Sequence, residues 1–190
     1  MVYRPTFRKQ GDGSRCQWTN CGCTCQAMAS QRWREGVDPH NSHGWPPTPS
    51  EIRNQISPHT CGGTSLNDND AAANHLYATD MLVRYGIPWP TFVSLIISGR
   101  GAILSIRYSV VSPTKFDASP GFTGNHGLFI NERRPSDGAF LVYDPLADHR
   151  RAGIPQGPQW WPASLVRAAG YAYPGTATGC VNASFTRDTE

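Results

Sequence analysis

Apolar residues in the first half of the chain recur at helical spacing. After residue 20, Cys25, Met28 and Trp33 fall near one face of a predicted helix. Gly36 is a natural end for that helix. The same reasoning predicts helices over residues 21–35, 49–56, 70–85, 91–98 and 162–169.

The period of the apolar residues changes to that of strands after residue 100. The run over 102–108 is rich in Ile and Leu, and shorter apolar runs follow it, separated by turns rich in Gly, Pro and Ser. The pattern predicts strands over residues 102–108, 126–130, 139–143 and 179–185. Because helices come first and strands follow, the predicted fold class is α+β, with N-terminal helices packed on an antiparallel sheet.

The length of the chain predicts one domain, and its charge argues against nucleic-acid binding. Its 190 residues are typical of one domain, so we expect a single domain over 1–190, with residues 1–20 as an extended N-terminal arm. The net charge is +3, and the longest basic runs are the pairs Arg133-Arg134 and Arg150-Arg151. Nucleic-acid binders cluster their basic residues, so no specific nucleic-acid partner is expected.

No segment of the sequence has the pattern of an export signal or a membrane span. The N-terminus carries charges but lacks the apolar core of a signal peptide. The most apolar stretch, residues 92–97, is far shorter than the ~20 residues that cross a bilayer. We therefore expect a soluble product with no membrane partner.

The six cysteines are unevenly distributed, since four of them lie between Cys16 and Cys25. Such crowding suits a catalytic or metal-binding role better than a set of disulfides. Cys61 and Cys180 stand apart and are expected to be buried small apolar residues.

Zinc binding is one interpretation of the crowded cysteines. Zinc sites prefer two separated pairs of ligands, and the run Cys21, Cys23, Cys25 with Cys16 supplies no second pair unless Cys61 or His59 completes it. The interpretation that we favour has no metal and no cofactor.

Thiol catalysis needs a thiolate, a histidine beside it and a group that orients the imidazole. The cysteines lie where a helix should begin, and the positive end of a helix dipole stabilises a thiolate. His126 begins one predicted strand and Asp144 follows the next. Adjacent antiparallel strands bring the start of one beside the end of the other, so these two side chains can meet.

Two stretches resemble a known family. Cys21-Gly22 with Cys25 and Met28 resembles the Asp-Cys-Gly-x-x-Cys-x-x-Met signature of the bacteriocin-processing (double-glycine) peptidase domains, a papain-like branch, and Asn125–Asn131 with Phe140–Pro145 resembles their His-strand and Asp-Pro segment. The chain is also similar to papain-like proteins of tailed bacteriophages from high-GC hosts. Its 15 arginines against two lysines agree with such a source. The resemblance implies a papain-like fold with Cys21, His126 and Asp144 as the catalytic residues.

The sequence departs from the family at the oxyanion position. The family has glutamine six residues before its nucleophile, but Arg15 stands six before Cys21, whereas Gln17 stands six before Cys23. Cys23 therefore stays open as an alternative nucleophile. Gln17 is the expected oxyanion-stabilising side chain in either case. Asn20 replaces the Asp of the signature and is expected to cap the helix.

Together, these features predict a cysteine hydrolase of the peptidase or amidase type. The resemblance implies a virion-associated phage protein, found in the virion or in the host cytoplasm. Its expected partners are a peptide or cell-wall peptide substrate and other virion proteins. The alternative is a catalytically inactive structural component of a phage head or tail that keeps the peptidase fold.

Overall fold

A computed structural model describes residues 2–11, 13–35, 48–56, 61–147 and 152–187 of the chain. His59 and the Arg150-Arg151 pair lie outside these residues. The helices are α1 (Cys21–Glu35), α2 (Pro49–Gln55), α3 (Leu66–Tyr77), α4 (Trp89–Ile97) and α5 (Ala163–Tyr171). The strands are β1 (Met81–Pro88), β2 (Ala102–Arg107), β3 (Asn125–Arg133), β4 (Phe140–Tyr143), β5 (Gln159–Trp161) and β6 (Cys180–Thr186).

The six strands form one sheet in the order β1-β6-β2-β3-β4-β5, and every neighbouring pair is antiparallel. Helices α1, α2 and α3 pack together, and α1 also packs on β3 and β2. The predicted α+β class, with N-terminal helices on an antiparallel sheet, is therefore confirmed.

Both faces of the sheet are covered, because alternate side chains of each strand point in opposite directions. On one face, Ile103 and Phe129 pack against Met28 of α1. On the other face, Leu104 and Leu128 belong to a larger core with α4 and α5. Strand β3 thus runs through the centre of the molecule, which fixes the residue that begins it relative to α1.

The helix predicted over residues 70–85 is wrong in its second half. Helix α3 ends at Tyr77, and Ala78 adopts the left-handed conformation with φ of 51°, which turns the chain out of the helix. Strand β1 then begins at Met81 and pairs with β6. The apolar residues after Leu76 happen to keep helical spacing as far as Tyr85, which made the predicted helix too long. Tyr85 is in fact 54% exposed.

The N-terminal arm, residues 2–11, has no regular secondary structure and lies against the domain. The backbone N–H of Thr6 donates to Gln31 Oε1 of α1 at 3.1 Å. Further along, the Gln10 N–H donates to the Pro145 carbonyl at 3.0 Å. The arm thereby ties α1 to the turn that follows β4.

Candidate active site

Cys21 is the first residue of α1, so its side chain lies at the positive end of the helix dipole. The turn before it is held by Arg53 of α2, whose Nε donates to Asn20 Oδ1 at 2.8 Å and whose Nη2 donates to the Thr19 carbonyl at 2.6 Å. Asn20 Nδ2 donates to Ser14 Oγ at 3.2 Å. The Asn20 amide thus binds neighbouring segments instead of capping the helix as expected.

A disulfide joins Cys16 to Cys61, which corrects two expectations. Cys61 is an exposed disulfide partner and not a buried free thiol. One cysteine of the crowded group, Cys16, is in a disulfide, although the crowding had favoured a catalytic or metal-binding role over disulfides. The bond fastens the turn before Cys21 to the segment between α2 and α3. Cys180, the other separate cysteine, is a half-buried free thiol at the start of β6.

His126 and Asp144 meet across the sheet as their spacing predicts. In the β3–β4 register, Phe129 pairs with Tyr143, so the residue after β4 lies towards the start of β3. His126 Nε2 donates to Asp144 Oδ1 at 2.8 Å. Both side chains are almost fully buried, at 1% and 3% exposure. Solvent therefore screens this pair little.

Asp144 is held by two further donors. The Leu146 N–H donates to Oδ1 and the Tyr108 hydroxyl donates to Oδ2, each at 2.9 Å. Tyr108 is itself fixed, because its hydroxyl accepts a bond from the Ala118 N–H at 2.9 Å. The carboxylate is therefore oriented from three sides, including the imidazole.

Aromatic edges enclose the imidazole of His126. The Tyr108 ring stands edge-on to it with centroids 5.2 Å apart, and the Phe122 ring does the same at 6.0 Å. Such contacts fix the ring plane and keep water away from it. With Nε2 bonded to Asp144, the other ring nitrogen, Nδ1, is left for the thiol.

Cys21 interacts with His126, and this interaction changes the pKa of both groups. Burial opposes ionisation of Cys21, but the hydrogen bond and charge of His126, with backbone N–H groups of Gly127 and Gly22, bring its pKa below the ordinary value. Burial also opposes protonation of His126, but the Asp144 charge and hydrogen bond outweigh it and raise the pKa to about 10. The arrangement favours a thiolate beside an imidazolium.

The other two thiols of α1 have different surroundings. Cys23 is buried and donates to Asn69 Oδ1 at 3.3 Å, and burial raises its pKa to about 11. Cys25 is buried against β3 and donates to the Gly127 carbonyl at 3.3 Å, and burial raises its pKa well above the ordinary value. A protonated, buried thiol is a poor nucleophile.

Gln17 lies in a 3-10 turn, Gln17–Thr19, four residues before Cys21. Its Oε1 accepts a bond from the Gly13 N–H at 3.1 Å. Within the described residues, the structure records no hydrogen bond between the Gln17 side chain and Cys21, His126 or Asp144. Arg15, which stands at the family's glutamine position, is exposed on the same turn.

The described residues contain no candidate metal-binding cluster and no helix that could span a membrane. In that part of the chain, no three His, Cys, Asp or Glu side chains are grouped to hold a metal ion. The disulfide also occupies two of the thiols that the zinc interpretation had counted, Cys16 and Cys61. None of the described helices has the length and apolar character to cross a membrane.

Three residues around the site were not predicted from the sequence: Tyr108, Phe122 and Arg53. Tyr108 directly follows β2, and its N–H donates to the Gly124 carbonyl, so a correct β2–β3 register would have placed it beside His126. Phe122 and Arg53 carry no comparable signal, because their roles depend on a loop path and on the packing of α2.

No protein-family model matches the chain, and no curated protein matches it. Solved structures do match. One is the crystal structure of a Bacillus anthracis protein, provisionally described as a C39-like peptidase. The two chains align with a TM-score of 0.58 and 13% identity, over 97% of this chain and 96% of that one. At this identity the likeness establishes the fold alone, and it confirms the papain-like α+β class expected from the resemblance.

Proposed function

We propose that this protein is a papain-like cysteine hydrolase that cleaves an amide bond of a peptide. One observation carries the proposal: a thiol at a helix N-terminus has its pKa lowered by an imidazole, and that imidazole is hydrogen-bonded to a buried carboxylate. Perturbed pKa values cluster at functional sites, and here they fall on a thiol and an imidazole beside a buried carboxylate.

The proposed reaction begins with attack of the Cys21 thiolate on the carbonyl carbon of the scissile amide. The C–N bond breaks, and the proton on His126 passes to the leaving amine, which leaves a thioester on Cys21. Water then gives a proton to His126 and attacks the thioester, which releases the carboxylic acid and restores the thiolate–imidazolium pair. Throughout, Asp144 holds the imidazole in one orientation.

The oxyanion formed in each step needs donors beside Cys21. We assign this role to the backbone N–H of Cys21, in the first turn of α1, where N–H groups lack partners within the helix. Gln17 stays in the proposal as a second donor, as predicted from the sequence. In this role its amide nitrogen would turn towards the substrate when the site is filled.

The choice of Cys21 over Cys23 is supported by the surroundings of the two sulfurs. Cys21 is partly exposed, and its interaction with His126 lowers the pKa of its thiol. Cys23 is buried against Asn69 on the side of α1 that faces α3. A substrate carbonyl can approach the first sulfur without moving a helix.

The association with a phage particle is also part of the proposal, as a virion-associated hydrolase with a cell-wall peptide as substrate. It is supported by the resemblance and by the excess of arginine over lysine in the sequence. Peptide mapping of purified virions tests it: a fixed stoichiometry in the particle is the expected result, and complete absence from particles overturns it.

The hydrolase proposal is tested by labelling the native protein with iodoacetamide across pH 4–9 and mapping the modified cysteine by mass spectrometry. We expect rapid labelling of Cys21 well below pH 8, and loss of that reactivity in His126→Ala. Cys23→Ser is the matched control, since it removes a neighbouring thiol and should leave the profile unchanged. Slow labelling of every cysteine, with an apparent pKa near the ordinary ~8.5, would favour the inactive structural protein instead.

A further inference from the structure

A cavity of about 270 Å³ lies between the turn before Cys21 and helix α2. It is lined by Ser14, Arg15, Cys16, Ser50, Arg53 and Asn54. Among the described residues, the lining contains two guanidinium groups and no carboxylate. The volume suits a single side chain or chain end more than a drug-sized molecule.

Arg53 is a buried cation, at 6% exposure, whose recorded partners in the described residues are all uncharged. Its four hydrogen bonds go to Asn20 Oδ1, the Gly62 carbonyl, and the carbonyl and hydroxyl of Thr19. Guanidinium has five N–H groups, so one remains for a ligand. Glu51 on the same helix does not neutralise it, because its carboxylate is bonded to Thr48 and Tyr77.

A buried positive charge without a negative partner is costly, and an anion that enters the cavity reduces this cost. Arg15 adds a second, exposed guanidinium at the mouth, and the exposed amide of Asn54 supplies another N–H donor. Guanidinium pairs bind carboxylates through parallel hydrogen bonds, which suits them to this ligand better than ammonium groups.

The cavity is coupled to the thiol through one residue. Arg53 lines the cavity and also holds Asn20, which directly precedes Cys21. The disulfide partner Cys16 forms part of the wall, so the wall is covalently fixed to the segment after α2. A group bound here would therefore lie at a defined position relative to the nucleophile.

We propose that this cavity, called here the Arg15–Arg53 pocket, binds a carboxylate of the substrate and gives the hydrolase a preference for acidic peptides. The inference rests on the proposed function of Cys21. The carboxylate belongs either to an acidic side chain or to the C-terminus of the peptide, and both present the same group to the pocket.

The test measures how well peptides protect Cys21 from iodoacetamide. Tetrapeptide pools carry Glu or Gln at each position in turn, with C-terminal amides, and one further Gln pool ends in a free carboxylate. We expect an acidic pool to halve the labelling rate at a concentration about fivefold lower than its neutral match. A Glu pool with this advantage identifies a side-chain carboxylate, and the free-acid pool identifies a chain terminus.

The variant Arg15→Glu is expected to abolish the advantage, and Arg15→Gln to reduce it, because the residue is exposed and both changes spare the fold. Arg167→Glu is the matched control: Arg167 is an exposed arginine on α5, at the opposite face of the sheet, and should keep the advantage.

Equal protection by acidic and neutral pools, or an advantage that survives Arg15→Glu, overturns the proposal for the Arg15–Arg53 pocket. If Cys21 is still labelled rapidly without peptide, the hydrolase proposal is unaffected by that result. Slow labelling of Cys21 without any peptide is a different result, and it overturns the proposed function itself.

Discussion

Replacing Asp144 with Asn removes one negative charge from the candidate site and keeps its shape. The Asn oxygen can still accept the bonds from His126 Nε2 and the Leu146 N–H, which both go to Oδ1 in the native protein. The change therefore removes the charge and, at Oδ2, the acceptor for the Tyr108 hydroxyl, but keeps the bond that orients His126.

The size of the effect follows from the geometry of the pair. His126 Nε2 and Asp144 Oδ1 are 2.8 Å apart. Taking about 4 Å between the charge centres and an effective dielectric constant of about 20 gives an attraction of about 4 kcal/mol. At 1.36 kcal/mol per unit, its loss lowers the pKa of His126 by about three units. The pKa of His126, about 10 with Asp144 in place, would then lie near 7, so that most of the imidazole is neutral only above pH 7.

A neutral imidazole no longer stabilises the thiolate, so the pKa of Cys21 rises towards the ordinary value or above it. A thiol with a pKa of ~8.5 is only about 10% ionised at pH 7.5. The more basic thiolate is intrinsically more reactive, which offsets part of this loss. We expect Asp144→Asn to slow alkylation of Cys21 at pH 7.5, where most of the imidazole is neutral, by up to about 10-fold.

The assay is the rate of iodoacetamide labelling of Cys21 as a function of pH, in the native protein and in Asp144→Asn. The acid limb of the profile should move to higher pH in the variant, and the rates should converge above pH 9. An unchanged profile would refute the reasoning, because it would mean that the carboxylate does not control the charge of His126. Asp137→Asn, at an exposed ion pair with Arg134, is the control and should have no effect.

Three further predictions concern the surroundings of the site. Tyr108→Phe removes the donor to Asp144 Oδ2 and the acceptor of the Ala118 N–H. It should lower the free energy of unfolding in urea by roughly 1–3 kcal/mol. Tyr171→Phe, at a half-exposed side chain, should leave this free energy unchanged. The double variant Cys16→Ser, Cys61→Ser removes a cross-link that spans 45 residues. Loop-closure entropy predicts that the free energy of unfolding falls by about 4 kcal/mol. The native protein should lose the same amount when it is unfolded in the presence of a reductant. Gly22→Ala places a Cβ 2.5 Å from Asn69 Nδ2 and 2.7 Å from Thr64 Oγ1, and should destabilise the protein by about 1–3 kcal/mol, while Gly63→Ala, with no atom within 4 Å, should be neutral in the same titration.

The parts of the site that could be predicted from the sequence depend on local rules. A strand start and the end of the next strand meet in any antiparallel hairpin, so the spacing of His126 and Asp144 was sufficient to bring them together. The start of α1 could be predicted from the helical spacing of the residues after Cys21. The structure confirms it, because α1 begins at Cys21.

The choice between Cys21 and Cys23 depends on a different quantity, the rotation of α1 about its axis. Two residues along a helix point about 200° apart, so one faces the sheet when the other faces α3. That rotation is set by packing with β3 and with α3, and no local pattern encodes it. The disulfide and the contacts of Arg53 join segments that are distant in sequence, and they were missed for the same reason.

The position of β6 in the sheet has a consequence for biosynthesis. This strand is the last along the chain, yet it lies between β1 and β2 and supplies Val181, Ala183 and Phe185 to the larger core. On a ribosome, a nascent chain that has exposed α1, β3 and β4 already holds the thiol, imidazole and carboxylate, but its sheet is split at the centre. The domain can close only after residues 180–186 leave the exit tunnel, so a truncated product lacks a stable sheet. Synthesis of residues 180–186 thereby controls when the candidate site can be assembled inside a stable sheet.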